Sequence, residues 1–213
     1  MSRVAQLLVL VICAASCFPS FAQGCKNSVE RAWNDSLYYV DSDCPAEFRS
    51  ANKRLVLRFA SDGRISIKGK IIVLKGRRVE PPAMFSWSPK SNAFFINDGE
   101  GSGMSSMFRL FRIKGSGVYE DKAVERAATA LYRRRKLCAS SAYDPNVYGF
   151  GWDNQGSKIY LLVQATVHEP CGRQDEFISL VVRTSDGKIL ETLSKEETKQ
   201  RFSTVLPPSL FRE

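Results

Sequence analysis

The sequence predicts a mainly β protein, built from antiparallel blade-like sheets, with one inserted amphipathic helix and a short C-terminal helix. Three observations lead to this prediction: short apolar runs bounded by polar turns, glycine turns between such runs, and a tryptophan-led pattern that recurs along the chain. Strands this apolar must be covered on both faces, and stacked sheets cover one another in that way.

The first segment of the chain has the features of a secretory signal peptide. Arg3 precedes an apolar run that ends at Cys17, and the small residues Ser20 and Ala22 suit a cleavage site. The run is shorter than the roughly 20 residues that a membrane-spanning helix needs. We therefore expect a signal peptide over residues 1–22.

The remaining residues, 23–213, are enough for a single mainly β domain with a sizeable core. We expect this mature chain to be exported, either to a periplasm or to the outside of the cell, with no transmembrane segment. Lipidation at Cys17 is an alternative, because small residues precede that cysteine. It ranks second, since no Leu stands three positions before Cys17.

The three tryptophans mark a repeated pattern. Each one, at Trp33, Trp87 and Trp152, precedes a short polar turn and an apolar run. Further on in each unit, an arginine-bearing run ends at a glycine turn, and Asp-Gly between β-favouring runs is a strong hairpin signal. The arginines and turns are Arg58 with Asp62-Gly63, Arg112 with Gly115–Gly117, and Arg183 with Asp186-Gly187. The pattern predicts units over residues 33–70, 83–119 and 147–193.

The stretch WSPKSNAFFI, which begins at Trp87, resembles the blades of TolB-like and WD-repeat β-propellers, and LVVRTSDGKIL, which ends at Leu190, resembles their outer hairpin. The resemblance implies a binding scaffold with protein partners. Propellers typically have at least four blades. A fourth sheet could therefore lie in KIIVLKG, residues 70–76, or the assembly is open. An unrepeated β-sandwich would also account for the apolar runs.

Two segments break the β pattern. Residues 120–137 place Val124, Ala128 and Leu131 at helical spacing, which predicts an amphipathic helix inserted between the second and third units. SKEETKQRF, residues 194–202, begins with a serine cap and an acidic first turn, and predicts a second, shorter helix.

Four cysteines remain after residue 22, and an even number in an exported chain predicts two disulfides. Three pairings are possible. We favour the sequential pairs Cys25–Cys44 and Cys138–Cys171, because each closes a local excursion of the chain. Four thiolates around zinc would be the alternative, but no C-x-x-C pair is present. The sequence predicts no metal site and no cofactor.

The formal net charge of +9 favours anionic partners. Two clusters could form a basic surface: Arg133, Arg134, Arg135 and Lys136 at the end of the predicted helix, and Lys75, Arg77 and Arg78 in a turn-rich stretch. Favourable interaction with the helix dipole accounts for part of the first cluster. We expect the partner to be a protein, a polyanionic glycan or a lipid headgroup of the cell envelope. Nucleic acid is disfavoured, because the aromatic residues fit packed strands better than exposed stacking positions.

Catalysis is the second hypothesis. His168 is the sole histidine of the chain, so a small hydrolase would have to use it with a loop serine such as Ser102 or Ser105. Ser102 has Glu100 two residues before it, at the position where a nucleophile elbow requires glycine. The sequence therefore favours a non-catalytic binding function.

Overall fold

The computed structural model describes residues 32–40, 45–60, 62–67, 70–71, 78–99, 105–135, 144–166 and 176–211. Within these ranges the chain forms three antiparallel sheets, two α-helices and one 3-10 turn, which confirms the predicted fold class. None of the helices described there is long and apolar enough to cross a membrane.

Each sheet is a meander of four strands that follow one another in sequence, and the second sheet also takes in β1 (Tyr38–Val40) as an edge strand. The first sheet contains β2 (Ala46–Arg49), β3 (Val56–Phe59), β4 (Ile65–Ile67) and β5 (Lys70–Ile71). The second contains β6 (Ala83–Trp87), β7 (Ala93–Asp98), β8 (Met107–Lys114) and β9 (Gly117–Asp121). The third contains β10 (Asn146–Trp152), β11 (Lys158–Gln164), β12 (Phe177–Arg183) and β13 (Ile189–Leu193).

The two helices form where the sequence predicts them. α1 (Ala123–Arg134) follows β9 and packs Val124, Ala128 and Tyr132 into the core. α2 (Lys195–Phe202) begins at Ser194 with a capping box, in which Glu197 N–H donates to Ser194 Oγ at 3.2 Å and the Glu197 carboxylate accepts from Ser194 N–H at 2.7 Å. A 3-10 turn, Pro208–Phe211, follows.

The sheets stack in chain order, and apolar clusters fill the spaces between them. The cluster between the first and second sheets is rich in aromatic rings, among them Phe48, Phe85, Trp87 and Phe94. The second and third sheets enclose another cluster, to which α1 contributes. A third cluster lies between the far face of the third sheet and α2. The interior is thus a layered stack that ends in a helix.

A buried amide joins the second sheet to the third. Asn97 Nδ2 donates to Gly149 O at 2.8 Å, and Gly149 N–H donates to Asn97 Oδ1 at 2.7 Å. The two backbones approach so closely that a Cβ on Gly149 would lie 2.8 Å from Phe108 Cε2 and 2.9 Å from Phe95 Cε2. Only glycine fits there without displacement of the rings.

One six-residue turn recurs between the first two strands of all three sheets. It occupies residues 50–55, 88–93 and 153–158. In each copy, the N–H of the first residue donates to the carbonyl oxygen of the sixth residue. The carbonyl oxygen of the first residue accepts from the N–H of the fourth residue, and its side-chain oxygen accepts from the N–H of the sixth residue. The fourth residue has a positive φ each time: 60° at Lys53, 57° at Ser91 and 64° at Gly156. The structural repeat is therefore visible at this turn.

Two tryptophans occupy equivalent places just before these turns. Trp87 Nε1 donates to Phe48 O and Trp152 Nε1 donates to Ser86 Oγ, both at 3.2 Å, and each acceptor belongs to the preceding sheet. Arg49 holds the equivalent position in the first sheet, where it is exposed. Since no sheet of the described chain precedes the first, an indole at that position would have no acceptor from a preceding sheet.

The first predicted unit differs from the other two. Trp33 lies in a bend before β1 and packs against Tyr148 of the third sheet, with ring centroids 5.7 Å apart. β1 then pairs with β6 rather than with β2, and Val40 packs into the cluster between the first two sheets. The Asp62-Gly63 turn joins the second and third strands of its sheet, whereas the other two glycine turns join the third and fourth strands.

Candidate functional site

The helix-end cluster, defined as Arg133, Arg134 and Arg135, lies at the C-terminal end of α1, and all three residues are exposed. Lys136, the fourth member of the predicted run, lies outside the described residues. Arg133 Nη2 contacts the carboxylate of Asp144, a pair whose side chains are 59% and 65% exposed. One of the three cations therefore already has an acidic partner.

Further acids lie near Arg135, another member of this cluster. Arg135 lines a cavity of about 470 Å³ together with Glu176, Lys195, Glu196 and Glu197. These carboxylates lie where β12 begins and where α2 begins. The electrostatic field around the helix-end cluster is consequently mixed in sign.

Of the second predicted cluster, Arg78 is described, while Lys75 and Arg77 lie outside the described residues. Arg78 Nη1 donates to Asp62 O at 3.4 Å, so it lies beside the β3–β4 turn of the first sheet. The pKa of Asp62 is lowered, first by the hydrogen bond from Arg64 N–H and to a smaller extent by the charge of Arg78. Arg78 and the helix-end cluster thus contact different sheets.

A different group of cations is assembled by the recurring turn. Lys53 and Arg54 belong to its first copy, Arg49 directly precedes that copy, and Lys90 belongs to the second copy; we call these four residues the turn surface. All four are exposed, and none forms an ion pair with another described residue. Asn52 N–H donates to Ser91 Oγ at 3.1 Å, which joins the two turns. The stacking of sheets therefore brings together cations that are separated in sequence.

The third copy of the turn has no net charge, because Asp153 and Lys158 balance each other. Its first residue is Asp153, whose carboxylate accepts from Ser157 N–H at 2.7 Å and from Lys158 N–H at 2.9 Å. Burial raises the pKa of Asp153, but these hydrogen bonds outweigh burial and lower it overall. Residues 154–157 carry no charge. The positive character of the turns is confined to the first two sheets.

The described turns expose no aromatic ring for stacking and no large apolar side chain for insertion into lipid. The large hydrophobic residues that are exposed in the described chain are Tyr39, Met107, Tyr119 and Leu190. None of them belongs to a recurring turn, and Trp87 beneath the second turn is 7% exposed. The turn surface therefore presents a ligand with the ammonium groups of lysine and the guanidinium groups of arginine.

A cavity of about 290 Å³ lies near the opposite ends of the second and third sheets. Its wall includes Ser105, Glu125, Asp144 and Thr166. Burial, followed by the charge of Asp144, raises the pKa of Glu125, against the lowering effect of its hydrogen bond from Thr129. Ser105 is thus the described serine that the hydrolase hypothesis could use.

Several predicted site residues lie outside the described residues. These are the alternative catalytic pair, His168 and Ser102, and the four cysteines of the predicted disulfides, Cys25, Cys44, Cys138 and Cys171. In the part of the chain that the structure describes, no group of three or more His, Cys, Asp or Glu residues is placed to hold a metal ion.

Sequence reasoning missed a buried ion triad in the second sheet. Arg109 Nε and Nη2 donate to the two carboxylate oxygens of Glu120 at 2.9 and 3.0 Å, and Nη1 donates to Asp98 at 3.3 Å. Burial lowers the pKa of Arg109, but Glu120 and Asp98 together raise it overall. The one available signal was an arginine alternating with apolar residues in MFRLFRIK. Since the three side chains are buried against each other, the triad is structural.

No protein-family model, curated protein or solved structure matches the chain. Its function must therefore be inferred from its own geometry and charge.

Proposed function

We propose that the protein is an exported, non-catalytic binding module that recognises a polyanionic ligand of the cell envelope through the turn surface. The observation that carries this proposal is the convergence of four exposed cations on two contacting turns, without an acidic partner among the described residues. Export rests on the signal-like residues 1–22.

The turn surface suits an anionic ligand better than the helix-end cluster does. At the helix end, Asp144 pairs with Arg133, and Glu176, Glu196 and Glu197 share a cavity wall with Arg135. An incoming anion would be repelled by these acids as well as attracted by the arginines. None of the four cations of the turn surface forms an ion pair with an acid of the described chain.

The expected affinity is modest and depends on salt. An exposed ion pair contributes about 0.2–1 kcal/mol, so four such contacts together supply on the order of 1–4 kcal/mol. Exposed charges are screened within about 10 Å at 0.1 M ionic strength, so binding should weaken as salt rises. The hydrogen bonds that fix the turns reduce the ordering cost of binding.

The test compares two variants that remove the same charge at different places. Arg54→Ala/Lys90→Ala alters the turn surface, and Arg134→Ala/Arg135→Ala alters the helix end. We expect the first variant to elute from immobilised heparin, and from immobilised lipopolysaccharide, at lower salt than the second. Equal shifts would mean that net charge alone governs retention, and a larger shift of the helix-end variant would move the site to α1.

A small hydrolase is the second candidate, because the 290 Å³ cavity has Ser105 on its wall beside two carboxylates. A panel of esterase, phosphatase and glycosidase substrates discriminates between the two functions. Turnover that disappears in both Ser105→Ala and His168→Ala would establish a hydrolase and displace the binding proposal as the main function.

A further inference from the structure

Lys53 occupies a backbone position that disfavours a lysine. The fourth residue of the recurring turn has a positive φ in all three copies, and in the third sheet this residue is Gly156, which adopts such a φ without strain. A side chain with a Cβ is strained there. On conformational grounds, glycine is therefore the least strained residue at this position of the turn.

Ser91 shares the positive φ of Lys53, but its side chain has a structural role. Ser91 Oγ accepts a hydrogen bond from Asn52 N–H at 3.1 Å and so joins the first two turns. The Lys53 side chain is exposed and makes no hydrogen bond or ion pair with another described residue. Nothing within the described chain offsets the strain at Lys53, and residues kept in strained conformations are concentrated at functional sites.

We propose that Lys53 is a ligand-contacting residue, and that together with Lys90 it holds a linear anionic polysaccharide that crosses the first two turns. This inference rests on the proposed function, and it adds the residue that contacts the ligand and the form of that ligand. The ammonium group pairs with a sulfate or phosphate group of the chain, and no covalent step is involved.

The linear form of the ligand follows from the spacing of the cations. Lys53 and Lys90 belong to neighbouring sheets, and packed sheets lie roughly 10 Å apart. Like charges repel, so the two exposed ammonium groups stay apart. Two separated cations are better matched by a series of anionic groups than by one small anion. A chain that engages both turns also gains from the high effective concentration of its second group.

A polysaccharide fits better than the other polyanions of a cell. Lipid surfaces are bound most strongly when large apolar side chains enter the interface, and the described turns expose none. Single-stranded nucleic acid is held partly by stacking on aromatic rings, and those too are absent from the described turns.

The test uses Lys53→Gly, which removes the strain and the charge together, and Lys53→Arg, which keeps both. We expect the unfolding midpoint of Lys53→Gly to rise by about 2 °C. Its Kd for a size-defined heparin fragment at low salt should rise about threefold, the loss of one exposed ion pair. Lys53→Arg should match the wild type in both measurements.

Each result that differs from these expectations contradicts a specific part of the inference. If Lys53→Gly binds heparin as tightly as the wild type while Arg54→Ala/Lys90→Ala binds weakly, the inference about Lys53 is wrong and the proposed function stands. If neither variant loses affinity, both are wrong. If the unfolding midpoint of Lys53→Gly does not rise, the backbone at Lys53 is not strained. Inorganic sulfate that competes as well as heparin at equal sulfate concentration refutes the linear ligand, and tighter binding to anionic vesicles or to single-stranded DNA refutes the polysaccharide.

Discussion

Arg109 shows how strongly one residue can depend on its neighbours. Its guanidinium group is 3% exposed and lies between Asp98 and Glu120, which are 0% and 9% exposed. Charges removed from water are tolerated only when they are paired and hydrogen-bonded. The bidentate contact with Glu120 provides that pairing within two adjacent strands, β8 and β9.

We predict that Arg109→Met destabilises the protein by about 3–5 kcal/mol, because it leaves two buried carboxylates without their cation. Urea unfolding followed by tryptophan fluorescence measures the change. The matched control is Arg58→Met, which breaks an exposed pair with Glu47 in the first sheet and should cost less than about 1 kcal/mol. Similar losses in the two variants would show that the triad adds nothing to stability.

The ionised carboxylate of Asp186 stabilises the turn between β12 and β13. Its carboxylate accepts from Arg183 Nε at 3.0 Å and from Lys188 N–H at 3.0 Å. The bond from Arg183, followed by that from Lys188, lowers the pKa of Asp186 from 3.8 to about 2. A carboxylate whose pKa is lower in the folded state stabilises the fold above its unfolded pKa and loses that effect as the pH falls.

We therefore predict that the stability advantage of the wild type over Asp186→Asn is constant above pH 5 or so and declines as the pH falls from 3.8 towards 2. Unfolding midpoints across this range measure the decline. Carboxyl-carbon NMR should place the Asp186 titration near pH 2 in the wild type and closer to 3.8 in Arg183→Ala. A decline centred above pH 4 would contradict the assigned partners.

At the scale of single elements, β10 is the strand that sets the distance between two sheets. It carries two glycines on the same strand, and they differ in what surrounds them. A Cβ at Gly149 would overlap with Phe95 and Phe108, whereas a Cβ at Gly151 would meet Tyr160 Cδ2 at 3.4 Å, an ordinary contact distance. Gly149 therefore permits the close approach of the second and third sheets, whereas Gly151 has no part in it.

We predict that Gly149→Ala destabilises the protein by about 1–3 kcal/mol through overpacking. Gly151→Ala, two residues along the same strand, should be neutral within about 0.5 kcal/mol. Chemical denaturation of both variants gives the comparison. Equal effects would show that strand propensity, rather than the contact with the two rings, controls the response.

The sequence predicts both helices well, because helical spacing and a capping serine are local signals. Residues 120–137 contain α1, observed at Ala123–Arg134, and 194–202 contains α2. It predicts the recurring turn poorly. A positive φ at Lys53 or Ser91 leaves no trace in the residue type, since both side chains are common in ordinary polar loops.

At the scale of the whole molecule, the stack of sheets needs a cover at each end. The outer face of the first sheet is polar, with Glu47 and Arg58 paired at 2.7 Å. The outer face of the third sheet is apolar, and α2 covers it with Phe202, whose ring centroid lies 5.0 Å from that of Phe150 and 4.9 Å from that of Tyr160. Terminal units of a repeat array require such protection.

We predict that Phe202→Ala destabilises the protein by about 3–5 kcal/mol, since it removes a buried ring from this cover. Lys199→Ala, on the exposed side of the same helix, should change stability by no more than about 0.5 kcal/mol. Thermal unfolding with a hydrophobic dye reports both the loss of stability and the exposure of the third sheet. Comparable midpoints for the two variants would argue against α2 as a cover.

The sequence also predicts the mainly β stack, because apolar runs and glycine turns recur. The sequence misplaces the start of the first sheet. A single tryptophan before an apolar run carries no periodic pattern that would show which strand it belongs to. Trp33 fills a gap beside Tyr148, and Arg49 holds the place where the other sheets have tryptophan. The candidate site is not predictable from the sequence for a related reason. Consecutive cations such as Arg133 to Lys136 are visible in the sequence, whereas Lys53 and Lys90 lie on turns that come into contact only when the sheets stack.

The pairing of β1 with β6 determines the order in which the nascent chain can fold. The first sheet is made of consecutive strands, so it can close while the ribosome is still adding residues. β1 leaves the ribosome earlier but has no partner until Ala83–Trp87 has been synthesised. The first strand of the described chain is thus one of the later ones to be paired, and for that interval its backbone amides and carbonyls have no strand to bond with.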